Sequence, residues 1–274
     1  MSIFPDLLRQ LLRRPPAPVP PAALDAPSAP DEQTTTVQYG DFQFVFATPN
    51  NYTRWRVDTF FSKEPDTLEW IGGFARGEVM VDVGANVGMY TLWAAVTRGV
   101  RVYAFEPESQ NYALLNRNIV LNSLADRIGA FCLALSDMAG LSRLHLSEFV
   151  AGSSCHSRGE EVDFKHEPMR AAFSQGCVSA RLDDLVADGA IAEPDYIKID
   201  VDGFEPKVIA GARSILQGGK LRSLLIEVNQ NLSDHRAMVA QLNELGFRHD
   251  PAQAAAAERK DGIFKGCAEY VFKR

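Results

Sequence analysis

Two runs of almost uninterrupted apolar residues, Val79-Met80-Val81-Asp82-Val83 and Leu224-Leu225-Ile226-Glu227-Val228, limit the folds open to this chain more than any other feature. Such runs read as strands covered on both faces, the pattern of a parallel sheet held between helices. Strands are predicted at Glu78–Val83, Val100–Phe105, Ala130–Leu135, Tyr196–Val201, Ser223–Val228, Gly246–His249 and Glu269–Lys273. Helical segments separate them at Met89–Thr97, Gln110–Leu121, Pro206–Leu216 and Asp234–Leu245. This alternation predicts an α/β fold, a doubly wound, Rossmann-like sheet. Ligands of such sheets bind beyond the carboxyl ends of the strands. The residues that end each strand are therefore the ones to examine.

Proline usage sets the domain boundaries. Eight of the 15 prolines lie in the first 30 residues, in a stretch with too little apolar bulk to repay the entropy of ordering it. Residues 1–36 are expected to be a disordered tail. Within it Ile3, Phe4, Leu7, Leu8, Leu11 and Leu12 recur at helical spacing, so a short amphipathic helix could form and residues 1–14 could touch an anionic membrane surface weakly. Isolated helices this short are marginal, and a frayed tail is the expectation. Residues 37–77 form an N-terminal β/α segment, in which Thr34 to Pro49 reads as two short strands around Gly40-Asp41 and Asp66–Phe74 as a helix. Residues 78–274 are the main domain, with an insertion at 141–178 long enough to select a substrate.

A net charge of −7 and a pI near 5.3 supply no basic field for a nucleic-acid backbone, so no nucleic-acid partner is expected. The longest uncharged run, Val83 to Thr97, falls short of the ~20 residues of a membrane span. No secretory h-region opens the chain, which makes the cytoplasm the expected compartment. The four cysteines show no C-x-x-C spacing and read as ordinary thiols. No Walker loop, serine elbow or H-E-x-x-H motif occurs.

The first strand runs into Asp82-Val83-Gly84-Ala85-Asn86-Val87-Gly88 and a helix begins at once. This turn is shorter than G-x-G-x-x-G, and Asp82 would meet a pyrophosphate with a like charge, which argues against a dinucleotide. An acid there suits a cationic ligand such as S-adenosylmethionine. The second strand ends in Phe105-Glu106-Pro107, placing a carboxylate to accept hydrogen bonds from a ribose diol. The third ends in Leu135-Ser136-Asp137, an acceptor for the exocyclic amine of adenine. Taken singly, Asp82 and Asp137 could cap turns and Glu106 could be solvated.

VDVGANVGMYT, FEPESQNYALLNRNIVLN, ALSD, RLDDL and IKIDVDGFEPKVIAGA, in this order, resemble the FkbM family of S-adenosylmethionine-dependent methyltransferases. The resemblance covers about Asp66 to Val228 and extends to the terminal EYVFKR. It implies a seven-stranded, mostly parallel sheet with the last strand antiparallel. It also implies O-methylation of a hydroxyl on a sugar or natural-product acceptor. By matching positions it implies a cofactor loop of Asp82, Gly84, Ala85, Asn86 and Gly88, Glu106 on the ribose with Asn111 nearby, and Ser136 and Asp137 at the adenine.

An aliphatic hydroxyl is a poor nucleophile, so the enzyme must orient it and accept its proton. Lys198, Asp200 and Asp202 alternate along the fourth strand and share one side if that strand persists. Glu227 and Asn229 end the fifth in the same way. Asp202 or Glu227 could act as general base, or Asp200 or Asp202 with Glu227 and Asn229 could hold Mg²⁺. The metal-free route is the expectation. Asp202 and Glu205 also have capping-box spacing, but Pro206 favours a helix that starts at or after Gly203. His156 in the insertion is a tempting base, although a loop histidine is more often merely solvated. The rival readings are a nicotinamide-dependent oxidoreductase and a non-catalytic, methyltransferase-like binding subunit.

Overall fold

The computed structural model describes residues 33–274. The expected tail helix lies outside the described residues, and the expected boundary at 36 falls inside the first strand. That strand, β1 (Thr34–Tyr39), pairs antiparallel with β2 (Phe42–Ala47). Phe44 and Phe46 turn inward, with Phe44 stacked 5.5 Å from Trp93 and Phe46 edge-on to Phe60 at 6.0 Å. The outer edge of β2 is satisfied by a helix: the Ala47 and Val45 amides donate to Asn118 Oδ1 (2.8 Å) and Asn122 Oδ1 (2.9 Å) of helix Ser109–Leu121.

The remaining strands, in chain order, are β3 (Val79–Val83), β4 (Arg101–Phe105), β5 (Ile128–Phe131), β6 (Ala134–Leu135), β7 (Gly140–Leu146), β8 (Ser157–Arg158), β9 (Phe173–Ala180), β10 (Tyr196–Ile199), β11 (Ser223–Asn229), β12 (Arg248–His249) and β13 (Cys267–Lys273). Among the described residues, seven of these form one sheet in the order β12-β13-β11-β10-β3-β4-β5. The neighbours from β11 to β5 are parallel, and β13 runs antiparallel to β11 and β12. Every residue of β3 and β10 is buried, as strands covered on both faces require. Period-2 alternation sends Val81, Val83, Ile197 and Ile199 into one core layer and Met80, Tyr196 and Leu225 into the other. Asp82, Lys198 and Glu227 share the second face with Met80, Tyr196 and Leu225. There Lys198 lies directly opposite Asp82 in the β3–β10 register.

The predicted strand Ala130–Leu135 divides in two. Its first part is the edge strand β5, and after Cys132-Leu133 the chain leaves the sheet so that Ala134 and Leu135 pair with Ser179 and Ala180 of β9. Ser136 and Asp137 therefore end a strand of a second sheet, β6-β9-β7-β8, which is the core of the insertion. The predicted helix Pro206–Leu216 also breaks, into Glu205–Ala210 and Arg213–Gln217. At the break a Cβ on Gly211 would lie 2.1 Å from the Ser136 carbonyl oxygen, and Asp183 takes hydrogen bonds from the Ser214 and Ile215 amides. Close backbone approach and an external cap outweigh the helical periodicity there.

Candidate active site

Beyond the carboxyl ends of β3, β4, β10 and β11 lies a cleft of about 390 Å³, roofed by the insertion. It opens where the strand ends diverge, as in other doubly wound sheets. Gly84 makes this junction possible. Its φ is +80°, and a Cβ there would stand 1.9 Å from the Asp200 carbonyl oxygen, so only glycine lets the β3 turn pass the end of β10.

Glu106 lines the cleft at the end of β4 and is only 5% exposed. Its Oε2 accepts from the Asn86 amide and its Oε1 from the Glu108 amide, both at 2.8 Å. Burial pushes its carboxyl up to about 7, against those two amides. Leu133, Leu135 and Phe105 supply an apolar wall beside it, and Ser136 closes that end, its Oγ accepting from Arg158 at 3.1 Å.

Asn86 and Asn111 line the cleft too, and they pin its roof. Both Nδ2 groups donate to the Ser153 carbonyl, at 2.8 and 3.2 Å, while Asn111 Oδ1 accepts from the Gly152 amide at 2.7 Å. The expected cofactor residues thus hold the insertion in place.

Five expected site residues stand apart from the cleft lining. Asp82 is buried behind β3, where Thr91 Oγ1 donates to its Oδ2 at 2.5 Å; burial raises its carboxyl and the Lys198 ammonium opposes that. Its side chain is 1% exposed and tied to Thr91, so it does not face a cationic ligand directly. Ala85 is buried, and Gly88 is left-handed (φ +88°), at a place where a Cβ would also press on Leu115. Asp137 turns outward and accepts from Ser136 Oγ at 3.0 Å. Lys198 is 2% exposed, with its Nζ 3.0 Å from Asp200 Oδ2 and 5.2 Å from the centre of the Tyr90 ring. Burial works to lower its pKa, but Asp200, Asp82 and Glu64 outweigh it and hold the ammonium charged.

The structure does gather Asp200, Asp202 and Glu227, with one carboxylate oxygen from each within 4.8 Å of the others. The strand does not persist as the alternation requires, since β10 stops at Ile199 and Asp202 sits in the following turn with φ +53°. Asp202 Oδ2 accepts from the Cys155 amide at 2.7 Å. Burial and then the neighbouring Asp200 carboxylate push Asp202 up to about 6. Asp200 goes the other way: burial opposes ionisation, but Lys198 and Lys63 overcome it and bring its carboxyl down to about 2. Glu227 is raised well above the carboxylate range by burial and by Asp200, although Arg259 opposes this. In the sheet it faces Glu269 of β13, a like-charge pair that Arg259 bridges at 2.5 and 2.7 Å.

The turn carrying Asp202 is held from below by two groups that the sequence reading did not single out together. Glu205, fully buried, accepts from the Val201 amide (2.9 Å) and the Gly203 amide (3.1 Å). His235 places its Nε2 3.1 Å from the Gly203 carbonyl, while its Nδ1 accepts from the Asn229 amide at 3.1 Å. The second contact leaves Nε2 as the protonated nitrogen of a neutral ring. Glu205 begins its helix, with Phe204 as N-cap, so the capping-box alternative for Asp202 does not apply.

Trp55, Arg56, Lys63, Arg259 and Phe264 also line the cleft, contributed by the first helix after the hairpin, the short segment behind it and the chain before β13. None of them lies within a motif quoted above. The one available signal was the aromatic and basic mixture around Trp55. His156 lines the cleft rather than being solvated; burial lowers its pKa, and its Nε2 lies 3.3 Å from Ser153 Oγ.

A strand-end cleft with an acid at β4 and a second acid group at β10 and β11 is the ligand-binding arrangement of a doubly wound α/β fold. Residues 82–249 match the family described as the Methyltransferase FkbM domain, and the chain belongs to that family. Over 192 residues it is 31% identical to 31-O-demethyl-FK506 methyltransferase FkbM of Streptomyces tacrolimicus, covering 62% of this chain and 73% of that relative. Over 160 residues it is 24% identical to hexuronic acid methyltransferase AglP of Haloferax volcanii, 56% of each chain. The crystal structure of precorrin-6y C5,15-methyltransferase from Geobacter metallireducens aligns with a TM-score of 0.43 at 10% identity, over 77% of this chain and 86% of that one. The family is one of methyltransferases, which sets aside the nicotinamide reading. Among the described residues no helix is long and apolar enough to cross a membrane.

Proposed function

We propose that the protein transfers a methyl group from S-adenosylmethionine to a hydroxyl oxygen of a sugar or natural-product acceptor. The observation that carries this reading is the placement of Glu106 and Asp202 in one cleft, each with a different task open to it. The donor set fits an adenosyl ligand: a buried carboxylate whose remaining lone pairs can take ribose hydroxyls, beside an apolar wall ending in Ser136. S-Adenosylmethionine, when bound, supplies a methyl group activated by its sulfonium. Glu106, the Gly84 turn and Ser136 would hold it, while Asp82 and Gly88 support that turn from behind.

Asp202 accepts the proton of the acceptor hydroxyl. A base raised to about 6 is mostly ionised at neutral pH yet more basic than an ordinary aspartate. Glu227, tied to Arg259, lines the same end and accepts a hydrogen bond that orients the acceptor. Trp55 and Phe264 line the cleft and give it aromatic surface for the apolar parts of a sugar or macrocycle. The relatives' names support this range of acceptors, one naming 31-O-demethyl-FK506 and the other a hexuronic acid.

A base mechanism is favoured over Mg²⁺ because Asp200 and Glu227 already carry cationic partners, Lys198 and Arg259. Retention of acids at the strand ends favours an enzyme over a non-catalytic binding subunit. The test is methyl transfer from labelled S-adenosylmethionine to a panel of glycans and polyketide-type compounds. Alkali-stable label in an acceptor supports the reading, and label that never leaves the donor in any panel member opposes it.

A further inference from the structure

Most of the cations that line the cleft are already held by other side chains. Lys63 is paired with Glu64, Lys207 lies 3.7 Å from Glu160, and Arg259 bridges Glu227 and Glu269. Arg158 has no carboxylate beside it among the described residues, but its two terminal nitrogens donate to Ser136 Oγ and Ser179 Oγ. Arg56 is different. Its Nε donates to the Gly152 carbonyl at 2.6 Å, and among the described residues its terminal nitrogens make no hydrogen bond and no ion pair. A guanidinium is a planar fork whose paired N–H groups match a carboxylate. Here one arm is tied to the roof of the cleft, which sets the direction of the other two.

Arg56 lines the same cleft as Glu106, Asp202 and His156, and its charge acts on all three. It shares the cleft with the acid assigned to the donor and the acid assigned to the reacting hydroxyl. The neighbouring Trp55 is 48% exposed and leaves the approach open.

We infer that Arg56 receives a ligand carboxylate in the cleft. The inference rests on the methyl-donor reading above. Two ligands could bring that group: the donor, through its amino-acid end, or an acidic acceptor such as a uronic acid.

Calorimetry on the full chain separates these sources, using S-adenosylhomocysteine, 5′-deoxy-5′-methylthioadenosine (which lacks the amino-acid end), methyl glucuronide and methyl glucoside as probes. If the donor supplies the carboxylate, Arg56→Gln weakens S-adenosylhomocysteine binding at least tenfold and leaves methylthioadenosine unchanged, while Arg56→Lys restores part of the loss. If the acceptor supplies it, Arg56→Gln leaves S-adenosylhomocysteine unchanged. The wild-type complex then prefers the glucuronide to the glucoside at least tenfold, and the variant loses that preference. Equal S-adenosylhomocysteine affinity in wild type and Arg56→Gln, with no glucuronide preference in either, overturns the inference. Wild-type protein that binds no S-adenosylhomocysteine overturns the donor reading itself. Should Arg56→Gln fail to fold, the wild-type preferences decide: parity between S-adenosylhomocysteine and methylthioadenosine, and between glucuronide and glucoside, counts against it.

Discussion

Glu205 Oε2 lies 3.3 Å from His235 Nε2, and neither side chain is more than 1% exposed. Together they join the turn bearing Asp202 to the end of β11, through Gly203 on one side and Asn229 on the other. A non-glycine residue at φ +53° is strained, and a buried network of this kind keeps it there. Burial drives Glu205 up to about 8, while its unfolded value is near 4.5. The folded protein then keeps a proton that the unfolded chain has released, so stability falls as pH rises through that interval. Glu205→Gln cannot titrate. The decline of Tm from pH 5 to 8 is expected to be shallower in this variant, and parallel curves would refute the assignment.

Asp202→Asn tests the base. The amide keeps the shape of the side chain but cannot take a proton, so S-adenosylhomocysteine affinity should stay within about twofold while turnover falls by roughly 10²–10⁴. In the wild type, activity should rise with pH through about 6 and level off above it, because the ionised form is the base. That limb should vanish from the residual activity of Asp202→Asn. Wild-type turnover in this variant would move the base elsewhere, with Glu227 the next group to test.

Asp82 and Glu106 should separate cleanly. Glu106→Ala removes a carboxylate that faces the cleft and is expected to weaken S-adenosylhomocysteine binding by about 2 kcal/mol, roughly 30-fold. Asp82→Asn removes a buried partner of Lys198 outside the cleft lining, so it should lower Tm and leave ligand affinity of the folded protein within about twofold. Equal losses of affinity in the two variants would contradict the placement of Asp82.

Exhaustive chelation is expected to leave methyl transfer unchanged, because Lys198 and Arg259 already balance two of the three clustered carboxylates. Loss of activity restored by Mg²⁺ alone would reverse that view.

The fold was legible wherever one strand makes one continuous apolar run. VMVDV and LLIEV read directly as β3 and β11, and Glu106 follows from β4 by position alone. Reading failed where a tertiary partner decides the outcome. The division of Ala130–Leu135 depends on β9, more than 40 residues later, and the break at Gly211 depends on the Ser136 carbonyl. Strand-end position also misled for Asp82, since its side chain is buried, bonded to Thr91 and opposite Lys198 rather than in the cleft lining. Arg56 carries no motif, and its significance lies in terminal nitrogens that have no partner among the described residues, which only the packed structure reveals.

Titration of S-adenosylhomocysteine into the wild-type protein and Glu106→Ala, followed by calorimetry, tests the central claim most directly. Saturable binding at a single site per chain, weakened more than tenfold in Glu106→Ala, is the predicted result. No measurable heat with the wild type, or identical isotherms for the two proteins, would contradict the claim that this cleft holds an adenosyl methyl donor through Glu106.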